Sequence, residues 1–318
     1  MPVIAPTSVR TVTVGIPASN EEKSIGQMLE SVLNQAIPQG VLLTTVVVAN
    51  ACTDQTVQVA LGVIEQVLGI VARPVESEEG RTWVAEARPI TACVIDIATG
   101  GKANALNIAH RLQDADAVLL FDSDVVLEAR AIHRMIEALE TAPELVVAPS
   151  VEGHIQPYDR ARGFWRELCR VMVCRAINDF DRTTPRLDGR VCGYRRCALV
   201  EHPSLVAVDM WLEGDAWLNG VGVTYLDAIL VRYRLPASLP ELVDQYKRYD
   251  VTVQDLDVQH AGLLAAIRSG RSRRNPSLRP ALHSRVVGWM FFRYVASSRS
   301  NEVYDGGEPW QAVASTKG

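Results

Sequence analysis

Two aspartates one residue apart, Asp122 and Asp124, end the apolar run Val118-Leu119-Leu120-Phe121, with Ser123 between them. Carboxylates this close repel one another and are costly to desolvate. A divalent cation removes that cost, and Mg²⁺ is usually held by one or two carboxylates together with substrate phosphates. The tripeptide therefore suits a metal–diphosphate site, and it equally suits a solvated turn at a strand end. The apolar run before it reads as a buried strand. The carboxyl end of such a strand projects side chains into a crevice, where open α/β sheets bind ligands.

The elements that must position this pair follow a rhythm. Thr11 to Pro17 reads as a first strand, followed by the polar turn Ala18-Ser19-Asn20-Glu21-Glu22. Ser19 or Asn20 can cap the helix that follows, and Glu21 and Glu22 suit its positive end. Ile25, Met28, Leu29, Val32 and Leu33 then recur at helical spacing. Val41 to Ala49 is a β-branched run that ends in Asn50-Ala51-Cys52-Thr53-Asp54, and Thr53 or Asp54 can cap a helix through Val57, Val59, Leu61, Ile64 and Val67. Strand–helix–strand–helix in this order predicts a parallel, doubly wound sheet. Residues 73–90 break the rhythm, with Glu76 to Arg81 as a charged loop and Val94 to Ile97 as a short strand. Gly100-Gly101-Lys102 opens a helix and suits an anion, or is simply a glycine turn with a solvated lysine; it lacks the P-loop spacing. A helix around Ile132, Met135, Ile136 and Leu139 and a strand over Leu145 to Ala148 complete the first half. Three strand ends thus carry Asn20/Glu21, Asn50/Asp54 and Asp122/Asp124, and a parallel sheet brings them to one edge.

The second half is less regular. Residues 158–178 read as a helix burying Phe164, Trp165, Leu168, Val171 and Met172, with Arg162, Arg166 and Arg170 as a solvated basic stripe. Gly189 to Arg196 reads as a glycine-containing basic turn, Val221 to Arg234 as two short strands, Leu239 to Tyr249 as a helix and 270–279 as a basic loop. Asp209, Glu213 and Asp215 cluster among aromatic residues. Val286 to Ala296 is apolar and aromatic but too short to span a bilayer, so it caps the core or lies at a membrane interface. The tail after Ser297 is polar, and frayed ends are common in such tails.

Composition excludes several classes. A net charge of −5 over 318 residues argues against a nucleic-acid partner, which needs a basic footprint. Six cysteines without a close-spaced pair give little support to zinc and read as reduced thiols of a cytoplasmic protein. Met1 to Val14 shows no basic segment followed by a long apolar one, so no signal peptide is expected.

Taken together, the motifs resemble the family 2 glycosyltransferases, with the GT-A nucleotide-sugar transferase fold, over about residues 10–250. Ile16 to Glu22 resembles the opening P-A-Y-N-E-E segment, and Val46 to Asp54 resembles the base-binding V-V-D-D-G-S-T-D segment. Gly101 to Asn107 resembles G-K-x-x-A-L-N, Asp122-Ser123-Asp124 stands at the D-x-D, Gly193 to Arg196 resembles an acceptor-region turn, and Gln245 to Tyr249 resembles Q-x-x-R-W. The resemblance implies a Rossmann-like, mostly parallel α/β sheet flanked by helices. Residues 1–150 would form the nucleotide-sugar half, 151–250 the acceptor and catalytic half, and 251–318 a helical extension and tail. It implies that Pro17, Ala18, Asn20, Glu21, Asn50, Asp54, Lys102, Asn104, Asp122, Ser123, Gln245 and Arg248 bind the donor. Asp124 with Asp122 would hold Mg²⁺ or Mn²⁺. Asp209 would be the base that activates the acceptor hydroxyl, with Glu213 and Asp215 as alternatives; Asp209 keeps the register to Gly220 and Pro236 without a gap. Three positions depart from the pattern: Ser19 and Asn50 replace an aromatic residue and an acid that relatives place against the base, and Tyr249 replaces Trp. The nucleotide is therefore open, with UDP first.

The implied reaction is metal-dependent inverting transfer to a small-molecule or lipid-linked acceptor hydroxyl. The alternatives are a retaining glucosyltransferase of the phosphoglycerate type and, from another class, a nucleotidyltransferase. The acidic turn after the first strand disfavours the latter. The basic stripe and the 286–296 segment leave room for peripheral contact at the inner membrane face.

Overall fold

The computed structural model describes residues 8–112, 114–142, 144–154, 164–183, 186–199, 201–202, 208–236, 238–247, 262–272 and 282–297. Arg162, Arg248 and Tyr249, and the tail after Ser297, lie outside them.

Four parallel strands form the centre. They are β1 (Thr11–Ala18), β2 (Leu42–Asn50), β5 (Ile90–Ile97) and β6 (Ala117–Phe121), in the order β5-β2-β1-β6. Each is buried along nearly its whole length, which is why the sequence shows continuous apolar runs rather than alternation. The helices that cross between them are α1 (Ile25–Leu33), α2 (Thr56–Leu68) and α3 (Lys102–Arg111). The five apolar residues expected on α1 are all buried, and each such side chain contributes about 1.5–3 kcal/mol by leaving water. Gly15 sets how closely α3 approaches the sheet, since a Cβ there would stand 2.8 Å from the Ala109 Cβ.

Antiparallel strands extend this centre on both sides. Residues 73–90, where the rhythm breaks, form β3 (Arg73–Val75) and β4 (Arg81–Ala87), an edge meander on β5; the expected loop from Glu76 joins the two strands and gives way to strand at Arg81. Its polar, half-exposed strands carry no apolar run to announce them. On the other side β9 (Val191–Arg195), expected as a turn, is inserted between β6 and β8 (Val146–His154). The two strands expected over 221–234 are one bulged strand, β10 (Val223–Arg234), parallel to β8, with β7 (Val125–Leu127) at the edge. Between β7 and β8 runs α4 (Ala131–Thr141).

The remaining helices are α5 (Phe164–Thr183), α6 (Val208–Leu218), α7 (239–247), α8 (Leu263–Ser272) and α9 (Leu282–Ser297). Two expectations for α5 need correction. Leu168 and Met172 are exposed, and the buried face is Arg170, Val173, Cys174, Ala176 and Ile177. Arg170 is therefore not part of a solvated stripe; it is 1 % exposed and paired with Glu167 at 2.7 Å. Helix α8 likewise occupies the start of the expected 270–279 loop. Helix α9 caps the core through Phe291 and Val295, while Val286, Trp289, Met290 and Tyr294 on its outer side are exposed. No helix among the described residues is long and apolar enough to cross a membrane. All six cysteines are free thiols.

Candidate active site

The three polar strand ends come together as their order in the sheet requires, because β2, β1 and β6 are parallel neighbours. After β1, Asn20 adopts a left-handed backbone (φ 55°). Its Oδ1 accepts from the Thr53 N–H at 2.8 Å and the Thr53 hydroxyl at 3.2 Å. Asn20 therefore ties two loops together instead of capping α1, whose cap position is Ser24. Glu22 and Asp54 complete the link: the Glu22 N–H donates to Asp54 Oδ2 at 3.1 Å, and the Gln55 N–H donates to Glu22 Oε2 at 3.1 Å. Asp54 Oδ1 also receives the Thr56 N–H and hydroxyl. Burial works against the charge of Asp54, but these donors hold its carboxyl below the usual range. Asp54 thus shapes the loop, whereas Asn50 is 6 % exposed and its Oδ1 has no hydrogen-bond partner among the described residues. A buried acceptor left open in this way suits a ligand donor.

At the end of β6, Asp124 lies within electrostatic reach of Glu21, which is 6 % exposed and accepts from Ser24 Oγ at 2.6 Å. Burial, then the carboxylates of Asp122 and Glu21, push Asp124 up to about 7, against the pull of Arg190 and Lys102. Among the described residues no three His, Cys, Asp or Glu side chains form a ready-made metal cage. The all-oxygen, negatively charged cluster suits a hard cation that draws its remaining ligands from substrate phosphate and water, as Mg²⁺ and Mn²⁺ sites do. Ser123 is buried between the two aspartates. Pro17 and Ala18 are buried at the end of β1, and the Ala18 carbonyl accepts from the Cys52 thiol at 3.4 Å.

Lys102, the first residue of α3, donates to Asp122 Oδ1 at 2.6 Å and to the Gly189 carbonyl at 3.2 Å. Burial opposes its charge, but Asp122, then Asp209 and Asp124, raise its pKa. Asn104, two residues further on, is half-buried. The crevice beside Lys102 holds about 380 Å³ of space including open solvent, and Asp122, Gly189, His202 and Asp209 line it with an apolar wall of Leu106, Val208 and Leu212. Asp209 is half-buried in the first turn of α6, against Gly189. A Cβ on Gly189 would stand 3.1 Å from the Asp209 Cγ and Oδ2, so a side chain there would crowd this carboxylate. Burial and then Asp188 raise the Asp209 carboxyl, while Lys102 holds it down.

The two alternative acids are elsewhere. Glu213 is fully buried and accepts from the Leu187 N–H, the Tyr225 hydroxyl at 2.5 Å and both Arg271 donors at 2.6 Å. It locks α8 to α6 and β10. Asp215 accepts from Asn219 Nδ2 at 2.9 Å and does not line the crevice. Gln245 is half-buried on α7, and its partner in the motif, Arg248, lies outside the described residues.

Sequence reasoning missed Arg190 and His202. Arg190 pairs with both Asp188 oxygens at 3.1 Å, stacks on the Tyr233 ring at 3.7 Å and acts on Asp124. Its backbone carbonyl receives the Asp122 N–H at 3.0 Å. Asp188, opposed by burial but faced by Arg190 and Arg186, is held down at about 2. The only sequence signal was the Asp188-Gly189-Arg190 turn, uninterpretable until β9 pairs with β6.

A parallel α/β sheet whose strand ends gather carboxylates around a lysine-bearing crevice is the architecture in which open α/β folds bind ligands. The sequence model described as "Glycosyl transferase family 2" matches residues 13–199. The chain belongs to glycosyl transferase family 2 and is a glycosyltransferase. Solved structures share its GT-A fold. The mannosyltransferase PcManGT from Pyrobaculum calidifontis, in complex with GDP-Man and Mn²⁺, is similar at 20% identity and TM-score 0.56, covering 93% of this chain and 78% of that one. S. aureus TarS 1-349 in complex with UDP-GlcNAc is similar at 17% identity and TM-score 0.49, over 90% and 80%. Glucosyl-3-phosphoglycerate synthase from Mycobacterium tuberculosis, with Mg²⁺ and UDP, is similar at 18% identity and TM-score 0.48, over 77% and 79%. No curated protein matches the chain.

Proposed function

We propose that this glycosyltransferase moves a sugar from a nucleotide donor, UDP-sugar first, to an acceptor hydroxyl by a single inverting displacement. The observation that carries the reading is the place of Asp209 in the same crevice as Lys102 and Asp122. A base must reach the acceptor proton on the side where the sugar–phosphate bond is made to break. Asp209 removes the proton from the acceptor hydroxyl as that oxygen attacks the anomeric carbon. Burial raises the Asp209 carboxyl, which makes its ionised form a stronger base than an ordinary carboxylate.

Asp124, with Asp122, would hold Mg²⁺ or Mn²⁺, which supplies charge neutralisation for the departing diphosphate. Lys102 adds a point charge beside Asp122. The Asn50 oxygen receives a donor from the base, and Pro17, Ala18 and Glu21 line that end of the donor site. Asn104, Ser123, Gln245 and Arg248 complete the proposed donor contacts, and Asn20 and Asp54 hold the loops that frame them. Residues 1–150 serve the donor, 151–250 the acceptor and catalysis, and 251–318 extend them. The acceptor is a small molecule or is presented at a membrane surface on the cytoplasmic side. The exposed Trp289, Met290 and Tyr294 of α9, flanked by exposed Arg285 and Arg293, support the membrane arm of this reading.

A thermal-shift panel of nucleotide sugars, GDP-mannose and UDP-N-acetylglucosamine included, with Mn²⁺ or Mg²⁺ identifies the donor, since a ligand bound to the folded state stabilises it. NMR of the product gives an inverted anomer. Asp209→Asn retains the donor shift and lowers kcat by about 10²–10⁴-fold. Turnover unchanged in a folded Asp209→Asn protein removes Asp209 as the base, and a retained anomer removes the single displacement.

A further inference from the structure

Arg190 belongs to a closed circuit of side chains beside the aspartate pair. Its Nη1 donates to both Asp188 oxygens at 3.1 Å, and its guanidinium lies 3.7 Å from the centre of the Tyr233 ring. The Tyr233 hydroxyl donates to Asp181 Oδ2 at 2.8 Å. Arg186 Nη2 closes the circuit by donating to Asp181 Oδ1 at 2.5 Å and to Asp188 Oδ2 at 3.1 Å. Asp181, Asp188 and Tyr233 are buried, and the members come from α5, from the approach to β9 and from β10. The Arg190 N–H also donates to Asp188 Oδ1 at 3.0 Å, so Asp188 holds both the backbone and the side chain of Arg190. Its two arginines and two aspartates leave the circuit neutral.

The circuit stands against the proposed metal site. The Arg190 carbonyl receives the Asp122 N–H at 3.0 Å, and the Arg190 charge acts on Asp124. Among the described residues, however, Asp122 takes its ion pair from Lys102 and Asp124 takes none. A guanidinium is a strong partner for a carboxylate, because its planar fork of donors matches the two oxygens. Paired with Asp124, it would occupy the oxygens and cancel the charge that a divalent cation needs. Here the same guanidinium is spent on Asp188 and stacked on Tyr233.

We propose that Asp188 is a positioning residue for the metal site: it keeps the Arg190 guanidinium neutralised and on Tyr233, so that the Asp124 carboxylate stays open to a divalent cation. Asp188 acts through Arg190 and is not itself a metal ligand. The inference rests on the reading of Asp122 and Asp124 as the metal pair.

The test titrates Mn²⁺ into the full chain, alone and with UDP or GDP, and reads bound metal by loss of the free-ion electron paramagnetic resonance signal. Circular dichroism confirms that each variant is folded. Asp188→Asn keeps the shape of the side chain but releases Arg190, and it weakens Mn²⁺ binding about tenfold, the scale of one uncompensated charge beside a cation. Adding Arg190→Gln to Asp188→Asn restores the native affinity. Arg190→Gln alone binds Mn²⁺ at least as tightly as the native chain, and this arm stands whether or not Asp188→Asn folds. Asp209→Asn is the charge control, since it removes a carboxylate near Lys102 without releasing an arginine, and it weakens Mn²⁺ less than Asp188→Asn does. Native affinity in folded Asp188→Asn, no recovery in the double variant, weakened binding in folded Arg190→Gln, or equal weakening by Asp209→Asn overturns the proposal. A native chain that binds no Mn²⁺ in any arm removes the metal reading and the proposal with it. A native chain that binds Mn²⁺ no better than Asp188→Asn removes the proposal alone.

Discussion

The Lys102 ammonium lies 2.6 Å from Asp122 Oδ1, so the first residue of α3 is bonded to the carboxyl end of β6. A lysine that the chain places twenty residues upstream becomes the cation at the centre of three aspartates, because its pKa responds to Asp122, Asp209 and Asp124 together. The pair couples the proposed donor end of the crevice to its proposed base.

Replacing Lys102 by Met tests that coupling. Lys102 holds the Asp209 carboxyl down against burial and Asp188, so its loss raises that carboxyl further. The acidic limb of the kcat–pH profile moves to higher pH in Lys102→Met, and Lys102→Arg leaves it near its original place. A profile that does not move in Lys102→Met separates the lysine from the base.

Asp124 makes metal-free stability depend on pH. Its carboxyl is raised from 3.8 to about 7 by burial and by Asp122 and Glu21. The folded state then holds a proton that the unfolded chain has released. The resulting stability is complete below about 4 and is lost as pH rises through about 7. Asp124→Asn removes this loss, so above neutral pH its metal-free form melts higher than the native chain. Mn²⁺ with UDP stabilises the native chain and leaves Asp124→Asn unmoved. Thermal melts across pH, with and without metal, measure both effects.

Glu213 separates architecture from catalysis. Removing it leaves the Arg271 guanidinium, the Leu187 N–H and the Tyr225 hydroxyl without their acceptor. Breaking a buried ion pair at one partner costs about 3–5 kcal/mol. Glu213→Ala lowers the urea midpoint accordingly, while kcat per folded molecule stays near the native value. Asp209→Asn shows the reverse pattern.

Much of the architecture of the first half was legible in the chain because its signals are local. Parallel strands buried on both faces leave apolar runs, as over β1, β2 and β6, and α1 shows its buried side by spacing alone. Other elements carried no local signal. The Val191-Cys192-Gly193-Tyr194-Arg195 segment reads as a turn, yet it is a fully buried strand because β6 and β8 hydrogen-bond it from both sides. On α5 the pattern named the wrong face, because Glu167 neutralises Arg170 and lets it enter the core.

The sequence by itself determined the doubly wound order and the three polar strand ends, since strand direction and side-chain period are properties of neighbouring residues. Only the tertiary structure decided which acid stands free at the crevice. Asp209, Glu213 and Asp215 share one helix and one chemistry. They differ in what the fold sets against them: Gly189 and Lys102 beside the first, Arg271 and Tyr225 closed over the second, and Asn219 on the third. His202 and Arg190 are the same case, since the partners that give each its character come from segments distant in the chain. A carboxylate or an imidazole takes its charge and reach from its surroundings, and those exist only once the chain is folded.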